Sequence, residues 1–374
     1  MQRTHFDYWL LFSAILLSAA GIVMVYSSSA VLAADRYGDT YYFLKKELFF
    51  VVIGIGVTVC MARIPYGVLR HGVYPLLAVT LGLVLLTYVP GLRAVASGAA
   101  RWLHLGPITF QPSEILKVAF VIFMAYSLEK KIEKIDRFGV GVLPHLAIAG
   151  LACLLVLGQR DFGAAFVIGS MLMIMLFAGG VRPLYLTAIG LLTLPFAYYA
   201  IAGMPYRRQR ILAFLDPWSD RYGSGFQIIQ SLISFHQGGV WGRGLGEGQQ
   251  KLFYLPEAHT DFIAAVLGEE LGLVGVLAII LLFAIFAMRG LIVAWRAPDL
   301  FGRYLALGLT TLVAWQALAN LSVVMGLLPT KGMVLPFISY GGSSLLITFF
   351  TMGILFNVST FRRGPNGSLR ARGG

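Results

Sequence analysis

A carboxylate close to a histidine, at the start of a long apolar stretch, is the first place in this sequence where chemistry could occur. Asp261 ends the run Tyr254–Asp261, which also contains His259, and the apolar stretch begins at Phe262. If a helix starts there, its dipole and its free N–H groups favour an ionised carboxylate. Such a group can accept a proton from a hydroxyl nucleophile. Capping of the helix by Thr260 or Asp261 explains the same residues equally well.

Basic side chains that could bind phosphate are concentrated between the apolar stretches. Arginine matches the oxygens of a phosphate with forked hydrogen bonds. The candidates are Arg101, which precedes Trp102, and a group in one long polar segment that consists of Arg207, Arg208, Arg210 and Arg243. The pattern indicates contact with an anionic lipid headgroup, and a solvated basic loop is the ordinary alternative.

The segment 329–344 is broken by proline and glycine although it lies between two apolar stretches. It carries Lys331, Ser339 and Ser343. Irregular backbone at membrane depth persists only where it packs in protein or lines a water-filled cavity. The Gly-Gly-Ser-Ser sequence at 341–344, ahead of a predicted helix, offers N–H and hydroxyl donors to an anion. The same small residues are also common packing residues between membrane helices.

Three charged residues lie in or beside apolar stretches, where each charge costs about 3 kcal/mol. Glu114 and Lys117 are three residues apart, on one face of a predicted helix. Asp161 lies in the polar break Gln159–Gly163. We predict a structural ionic group of Glu114, Lys117 and Asp161, in which Lys117 pairs with Asp161 across the bundle. Contact with a substrate is the alternative.

The composition excludes a soluble enzyme and a disordered chain. Of 374 residues, 58% are hydrophobic and 12% are charged, whereas soluble domains have about 45–50% and 25%. The two cysteines, Cys60 and Cys153, have no metal-binding spacing and indicate no disulfide framework. In so apolar a chain, the net charge of +12 reflects membrane topology and anionic lipid rather than nucleic acid.

The apolar stretches predict an all-α, polytopic membrane protein with about ten transmembrane helices. The first is read as retained rather than as a signal peptide, because it is long and nine more follow. The ten predicted spans are Tyr8–Ser27, Leu48–Ala62, Val73–Val89, Ile115–Tyr126, Leu143–Leu157, Phe162–Gly179, Leu184–Ala202, Phe262–Met288, Tyr304–Leu328 and Leu345–Val358.

The distribution of Lys and Arg predicts the orientation. An even number of spans puts both termini on one side, and the basic loop 128–142 and the basic tail 359–374 assign that side to the cytoplasm. We therefore expect one membrane domain, residues 1–374, with a large extracytoplasmic loop at 204–260 between the seventh and eighth helices. The elaborate outer segments are where function is expected.

Four motifs occur in order: Arg101-Trp102, Gln111–Glu114, Tyr254–Phe262 and Pro336–Ser344. With them the sequence resembles the SEDS family (shape, elongation, division and sporulation), whose members are polytopic peptidoglycan glycosyltransferases. The resemblance covers nearly the whole chain after the first span. Further segments are most similar to the division branch, and they are Phe214–Trp218, Gln250–Tyr254 and Leu328–Gly332. The elongation branch and a sporulation paralogue are the alternatives.

Three positions depart from the family's pattern. Ser97 stands where Asn is common, Ala264 stands where an aromatic residue is common, and Gln159–Ala164 replaces Gln-Pro-Asp-Leu-Gly-Thr. The carboxylates and Lys117 are kept. These departures concern the detailed contacts near Asp161 rather than the class of protein.

The resemblance implies polymerisation of lipid II into β-1,4 glycan strands outside the bacterial cytoplasmic membrane, with inversion at the donor sugar. Asp261 matches the family's essential acidic residue and is assigned as the base. Undecaprenyl pyrophosphate is the leaving group, with or without a divalent cation such as Mg²⁺ or Mn²⁺. The residues expected to contact the substrate are Arg101, Arg208, Arg210, Arg243, His259, Lys331, Ser339 and Ser343.

The family also implies partners, and the sequence leaves two other functions open. The implied partners are a class B penicillin-binding protein that crosslinks the strands, other division proteins and membrane lipid; no nucleic acid is expected. A lipid II flippase fits polar residues inside spans and a broken helix as well. A flippase needs a polar path to the cytoplasmic side, whereas the candidates here cluster in the outer half. A non-catalytic scaffold for a transpeptidase is the third reading, and it would make Asp261 dispensable.

Overall fold

The long apolar stretches form α-helices, because only a helix or a closed barrel satisfies the backbone hydrogen bonds of a spanning segment. The computed structural model describes residues 2–3, 7–96, 99–105, 108–203, 205–252 and 254–362. The described α-helices are α1 (Tyr8–Tyr37), α2 (Tyr42–Arg63), α3 (Gly67–His71), α4 (Val73–Leu86), α5 (Pro112–Lys130), α6 (Leu143–Gly158), α7 (Phe162–Ala178), α8 (Pro183–Ala202), α9 (Pro205–Leu215), α10 (Phe226–Gly238), α11 (Ile263–Arg296), α12 (Leu300–Val324) and α13 (Gly342–Ser359).

Ten of these helices coincide with the ten predicted spans, so the all-α, polytopic prediction is confirmed. Five are long and apolar enough to cross a membrane: α1, α6 with its preceding π-turn, α11, α12 and α13. Helices α4, α7 and α8 contain shorter apolar helices. Helices α2 and α5 contain 22 and 19 residues and therefore measure about 33 and 28 Å.

Helix α5 lies at the centre of the bundle, although its sequence is short and charged for a span. It packs against α4, α7 and α12, and most of its residues are buried, including Glu114 and Lys117. Its charged residues therefore face protein rather than lipid. This position removes the cost that a charge on a lipid-facing helix would carry.

The predicted outer segments contain more regular structure than the sequence indicated. Helix α1 continues ten residues past Ser27 through an alanine-rich run and ends at Gly38, which takes a left-handed conformation with φ 68°. The long loop contains α9 and α10. A small antiparallel sheet, with order β2 (Arg93–Ala96), β3 (Ala99–Leu105) and β4 (Ile108–Phe110), precedes α5.

Helix α11 is broken near its N-terminal end, and the segment 239–252 fills the break. Gly272 has φ 65° and ψ −165°, a region that essentially only glycine occupies. The backbone N–H groups of Arg243 and Gly244 donate to the carbonyls of Glu269 and Glu270, each at 3.0 Å. The break therefore leaves backbone groups that the segment 239–252 satisfies.

Two buried carboxylates fix this segment further. Glu269 accepts hydrogen bonds from the backbone N–H groups of Gln249 and Gln250. Glu270 accepts from the Ser27 hydroxyl and from the Lys251 ammonium group, both at 2.7 Å. Segment 239–252 is thus tied to both α11 and α1.

The first and last described segments of the chain meet on the same face of the bundle. Strand β1 (Gln2–Arg3) pairs antiparallel with β5 (Phe361–Arg362), and Arg289 on α11 binds the Asp7 carboxylate with both a 3.0 Å and a 2.5 Å contact. This pairing agrees with the prediction that both termini share a side. Ser97 and the tail beyond residue 362 lie outside the described residues.

Candidate active site

A cavity of about 2110 Å³ lies at the end of the bundle opposite the chain termini. Its wall includes residues near the N-terminal ends of five helices: Lys46 in the second turn of α2, Glu114 and Gly163 in the first turns of α5 and α7, Phe262 at the N-cap of α11, and Gly342 at the start of α13. The N-terminal end of a helix carries partial positive charge and free N–H groups. The topology therefore builds a cavity that favours an anionic ligand before any side-chain charge is counted.

Asp261 lies in the tight turn that leads into α11 and lines this cavity. Its backbone carbonyl accepts a 2.9 Å hydrogen bond from the buried Asn320 amide on α12, which also donates to the carbonyl of Met333. Asn320 thus joins the Asp261 turn to the segment 325–341. None of the described residues donates a hydrogen bond to the Asp261 carboxylate, which leaves it available to a ligand.

Asp261 does not cap the helix. The N-cap of α11 is Phe262, which makes no side-chain capping bond, and the Thr260 hydroxyl donates instead to Glu257 Oε2 at 2.7 Å. The capping interpretation of Thr260 and Asp261 is therefore wrong. The turn between Glu257 and Phe262 points these side chains away from the open N–H groups of the helix.

The surroundings of Asp261 raise its pKa to about 7. Burial is the main cause, and the negative charges of Glu257 and Asp161 add to it, whereas Arg101 and Arg210 act in the opposite direction. The sequence led us to expect a carboxylate kept ionised by the helix end. Desolvation outweighs that effect here. The result is a base whose protonation changes near neutral pH.

Arg101, on the central strand β3, and Asp261 both point their side chains toward Gly332. A Cβ atom built on Gly332 would lie 3.1 Å from Asp261 Oδ2 and 3.3 and 3.4 Å from the two terminal nitrogens of Arg101. No ion pair within 4.0 Å joins the two described side chains. Arg101 Nε is buried and has no hydrogen-bond partner among the described residues. The guanidinium therefore offers unused donors beside the base.

Two further cations line the cavity. Arg210, on α9, donates a 3.0 Å hydrogen bond to the carbonyl of Thr330. The Lys331 ammonium group lies 3.4 Å from the centre of the Phe166 ring on α7, and burial lowers the pKa of Lys331 to about 8. Arg101, Arg210 and Lys331 thus surround the cavity from a strand, a helix and a loop.

The predicted bridge between Lys117 and Asp161 is wrong. Lys117 pairs with Glu114 on its own helix at 2.8 Å. Asp161 caps α7 by accepting from the Ala164 N–H group. Its other oxygen accepts from the Ser113 hydroxyl at 2.9 Å and the Gln111 amide at 3.1 Å. Neutral donors next to Asp161 take the place that Lys117 was expected to fill.

Eight of the predicted residues lie in the cavity wall: Asp261, Arg101, Arg210, Lys331, Ser343, Glu114, Lys117 and Asp161. Four others do not. Arg208 is exposed elsewhere, Arg243 lies 3.7 Å from Glu269, and the Ser339 hydroxyl accepts from the N–H group of Leu335. These three have roles in the loops or in solvent rather than in the wall.

His259 turns away from the cavity although it is only two residues from Asp261. Its ring lies 4.8 Å from that of Phe43 and 5.8 Å from that of Tyr340, and its backbone carbonyl accepts from the Tyr340 N–H group. Burial lowers the pKa of His259, which favours its neutral form. The histidine therefore packs α2 against the two loops and does not line the cavity wall.

The cavity extends from its polar centre to the lipid-facing surface on two sides. Between α6, α7 and α8 its wall is apolar and includes Leu154, which is 71% exposed. On the other side it reaches Phe49 and Ile53 of α2, and Phe49 is 61% exposed. Apolar walls that reach the exterior suit a ligand with a hydrocarbon chain.

Sequence reasoning missed several residues that build the site. Asn320 is a polar residue in an apolar span, a signal that could have been used. Gln111 belongs to one of the motifs named above, but its hydrogen bond to Asp161 was not predicted. Gly332 allows Arg101 and Asp261 to approach one point, and nothing in the sequence reveals such a close approach.

The described residues contain no group of three or more His, Cys, Asp or Glu side chains arranged to hold a metal ion. Magnesium is often bound by one or two carboxylates together with the phosphates of a substrate. Asp261 and Glu257 are carboxylates of one turn that both line the cavity. The residues therefore fit a cation only in the company of a phosphate ligand.

Comparison with known proteins places this geometry in a family. The family model for FtsW, RodA and SpoVE, described as "Cell cycle protein", matches residues 8–364. The chain belongs to this family. Its curated FtsW/RodA/SpoVE relatives include "Probable peptidoglycan glycosyltransferase FtsW" of Geobacter sulfurreducens, 49% identical over 360 residues, with 96% of both chains covered. They also include "Stage V sporulation protein E" of Bacillus subtilis, 40% identical over 97% of this chain and 99% of the relative.

Solved structures of FtsW/RodA/SpoVE-like proteins agree with the fold. One solved structure is described as "Structural coordination of polymerization and crosslinking by a peptidoglycan synthase complex". A chain of it superimposes on this protein with a TM-score of 0.77 and 29% identity, covering 95% of this chain and 97% of that chain. The rod shape determining protein RodA of Thermus thermophilus superimposes with a TM-score of 0.70 and 25% identity, covering 95% and 96%. The resemblance stated from the motifs is confirmed.

Proposed function

We propose that this chain is an inverting peptidoglycan glycosyltransferase that polymerises lipid II into β-1,4 glycan strands. The observation that carries the proposal is the Asp261 carboxylate, which has no hydrogen-bond partner among the described residues and lies in a lipid-accessible cavity next to Arg101, whose Nε no described residue uses. The names of the FtsW relatives support it. Identities of 48–49% to several of them favour synthesis of the division septum, and the match to a sporulation protein makes sporulation the alternative.

The reaction needs one base and a stabilised leaving group. Asp261 takes the proton from the 4-hydroxyl of the acceptor GlcNAc. The oxygen attacks C1 of the donor MurNAc from the face opposite the pyrophosphate, so the α-linked phosphate is replaced by a β-1,4 bond. The proton stays on Asp261 until water removes it, and the electron pair of the broken C–O bond leaves with undecaprenyl pyrophosphate.

The leaving group is already an anion and needs charge stabilisation more than protonation. Arg101 has donors that no described residue uses, and Arg210 reaches the same cavity. The first turns of α5, α7 and α13 add positive helix ends. Lys331 rests on the Phe166 ring, and we propose that it moves to the pyrophosphate when the donor binds.

The location of the site follows from the same proposal. Its polar lining residues come from one end of the bundle, which the basic loops assign to the extracytoplasmic side of the bacterial cytoplasmic membrane. The two lateral extensions of the cavity, next to Leu154 and Phe49, would hold undecaprenyl chains. A class B penicillin-binding protein is the partner that would crosslink the product, in a complex with other division proteins.

A divalent cation such as Mg²⁺ or Mn²⁺ would be held here by Asp261, Glu257 and the pyrophosphate together. Such an ion would supply positive charge to the leaving group. No step above depends on it. Polymerisation in the presence of EDTA measures the dependence directly.

Replacing Asp261→Asn tests the base. We expect polymerisation of purified lipid II to fall by about 100-fold or more, measured as glycan strand length and yield with the partner transpeptidase present. The melting temperature in detergent should remain unchanged or rise, because the carboxylate has no hydrogen-bond partner among the described residues to lose. The matched control is Asp136→Asn, an exposed carboxylate in the loop that follows α5, which should polymerise normally.

Normal polymerisation by Asp261→Asn would contradict the assignment of the base and would agree with a scaffold role. The flippase alternative is separated by a second measurement. Purified protein in vesicles should form strands from lipid II without moving labelled lipid II across the bilayer. Transport of lipid II without strand formation would contradict the glycosyltransferase assignment and indicate a flippase.

A further inference from the structure

A polar side chain that the proposed reaction does not use, Gln316, lies on helix α12 and lines the cavity. The residues around it, from Leu312 to Ala319, are otherwise apolar. An uncharged polar group inside a membrane span costs free energy unless it meets a hydrogen-bond partner or faces water. The presence of Gln316 at this depth therefore needs a physical reason.

The amide of Gln316 has no hydrogen-bond partner among the described residues. Two other glutamines of the bundle behave differently. The Gln111 amide donates to the Asp161 carboxylate at 3.1 Å, and the Gln159 amide donates to the Thr87 hydroxyl at 2.6 Å. The two N–H groups of Gln316 are thus available to a ligand in the cavity.

Helix α12 runs from the face of the paired terminal strands toward the cavity. Its N-cap, Asp299, accepts a hydrogen bond from the Tyr66 hydroxyl. The Tyr66 ring lies 5.7 Å from that of Phe361 in strand β5. Residues later in α12 therefore lie nearer to the cavity end of the bundle.

The depth of Gln316 follows from its spacing to Asn320. The Asn320 amide donates to the carbonyl of Asp261 at 2.9 Å and so lies at the level of the base. Gln316 is four residues earlier, on the same face of α12, which places it about 6 Å deeper in the bundle. Gln316 therefore lies below the base, on the membrane side of it.

A cation of the cavity is close to the same level. Trp315, the residue before Gln316, stacks on the Phe166 ring with 6.0 Å between the ring centres. The other contact of that ring is the Lys331 ammonium group, 3.4 Å from its centre. Gln316 thus lies between the turn that carries the base and a cation assigned to the leaving group.

We propose that Gln316 contacts the substrate and donates a hydrogen bond to a pyrophosphate oxygen of the lipid-linked donor. In such a lipid the hydrocarbon chain lies in the membrane, the sugars lie outside it, and the pyrophosphate lies between them. The base must reach the sugars, so the polar group that lies deeper than the base is the pyrophosphate. The inference rests on the proposed function, which supplies a donor of this kind.

A neutral donor suits this depth. It stabilises an anion without the cost of placing another charge inside the membrane span. The pyrophosphate gains negative charge as its bond to C1 of the sugar breaks, so a hydrogen bond from Gln316 becomes stronger during the reaction. Gln316 should therefore affect both the affinity for the leaving group and the turnover rate.

The variant Gln316→Met keeps the length of the side chain and removes its N–H donors. Binding of undecaprenyl pyrophosphate and of undecaprenol, which lacks the pyrophosphate, is measured with the purified full-length protein in detergent. The Kd for undecaprenyl pyrophosphate should rise about tenfold, and the Kd for undecaprenol should stay unchanged. The turnover rate with lipid II should fall about tenfold or more.

A second variant identifies the chemistry of the ligand. Gln316→Glu has nearly the same shape as the wild type and replaces the N–H donors with a carboxylate oxygen. It should bind undecaprenyl pyrophosphate more weakly than Gln316→Met, because like charges repel. A sugar hydroxyl, by contrast, would donate to the new carboxylate and restore binding.

Gln209 provides the matched controls. It is an exposed glutamine on α9 that does not line the cavity, so Gln209→Met and Gln209→Glu should bind and polymerise as the wild type does. The melting temperature of Gln316→Met should be unchanged or higher, since its amide has no partner to lose among the described residues. If that variant melts earlier, the polar Gln316→Glu carries the test.

The outcomes separate the inference from the function on which it rests. Wild-type affinity of either Gln316 variant for undecaprenyl pyrophosphate overturns the inference, and so does an equal loss of affinity for undecaprenol. Tighter binding by Gln316→Glu than by Gln316→Met also overturns it. Selective loss of pyrophosphate binding, in a protein whose wild type forms no strands from lipid II, would leave the inference standing and remove the polymerase function.

Discussion

At the scale of single residues, the site depends on the close packing of the Asp261 and Arg101 side chains against Gly332. The missing side chain of Gly332 leaves the space that they need. In Gly332→Ala the added methyl group would stand 3.1 Å from Asp261 Oδ2 and 3.3 Å from Arg101, tighter than ordinary contact. Both side chains would have to move by a few tenths of an ångström. Because small misplacements of catalytic groups are costly, we expect the turnover rate to fall by about tenfold.

The measurement for Gly332→Ala is the rate of lipid II polymerisation at saturating substrate, together with the melting temperature. Gly332 does not have a positive φ, so the backbone accepts alanine and the fold should survive. Gly82→Ala on α4 is the control, since nothing lies within 4 Å of its added methyl group. Wild-type turnover by Gly332→Ala would mean that the geometry around Asp261 and Arg101 is looser than described.

At the scale of elements, the break in α11 at Gly272 allows segment 239–252 to bond to the helix backbone. Gly272→Ala should lower the free energy of unfolding by about 3 kcal/mol or more. Its methyl group would overlap the backbone of Gly242 and Val240, and its φ of 65° is strained for alanine. The expected result is a melting temperature several degrees lower in detergent, followed by loss of polymerisation.

Helix α2 provides the matched comparison for this glycine. Gly56→Ala places a methyl group in open space inside a regular helix, and alanine stabilises such positions slightly. Its melting temperature should be unchanged or higher. Equal stability of Gly272→Ala and the wild type would show that segment 239–252 does not depend on the break.

The helices and strands also show how much of the fold could be predicted from the sequence. The helices could be predicted, because long apolar stretches have few alternatives in a membrane. The sheet β2–β4 could not, because its strands are short, with 4, 7 and 3 residues. The break at Gly272 was hidden as well, since glycine in a membrane helix is more often a packing residue.

The hydrogen-bond and ion-pair partners of side chains were predicted less well than the helices that carry them, for a physical reason. Lys117 and Asp161 both line the cavity, but the register between α5 and α7 decides that Asp161 meets Ser113 and Gln111 rather than Lys117. His259 and Asp261 are neighbours in sequence, yet a tight turn sends their side chains apart. Such registers and turns depend on packing that no local pattern records.

At the scale of the whole molecule, the alternation of span directions gathers the site. The second, fourth, sixth, eighth and tenth spans, which are α2, α5, α7, α11 and α13, all begin at the cavity. Their partial positive ends therefore converge on one side, and the paired chain termini lie on the other. The orientation of the protein in the membrane consequently decides which side the reaction serves.

The orientation can be measured with single cysteines. In a background with Cys60→Ser and Cys153→Ser, Tyr222→Cys places a thiol in the exposed loop after α9, and Lys134→Cys places one in the exposed loop after α5. We expect a membrane-impermeant maleimide to label Tyr222→Cys in intact spheroplasts. Lys134→Cys should be labelled only after permeabilisation, because the positive-inside rule assigns its loop to the cytoplasm.

Each cysteine variant must still polymerise lipid II, so that labelling reports a functional protein. The exposed tyrosine and lysine lie outside the cavity wall, and their replacement leaves the site intact. Labelling in the reverse pattern would place the Asp261 cavity on the cytoplasmic side. Polymerisation outside the cell would then be excluded for this site however well its geometry suits the chemistry, because the product strands would be released on the wrong side of the membrane.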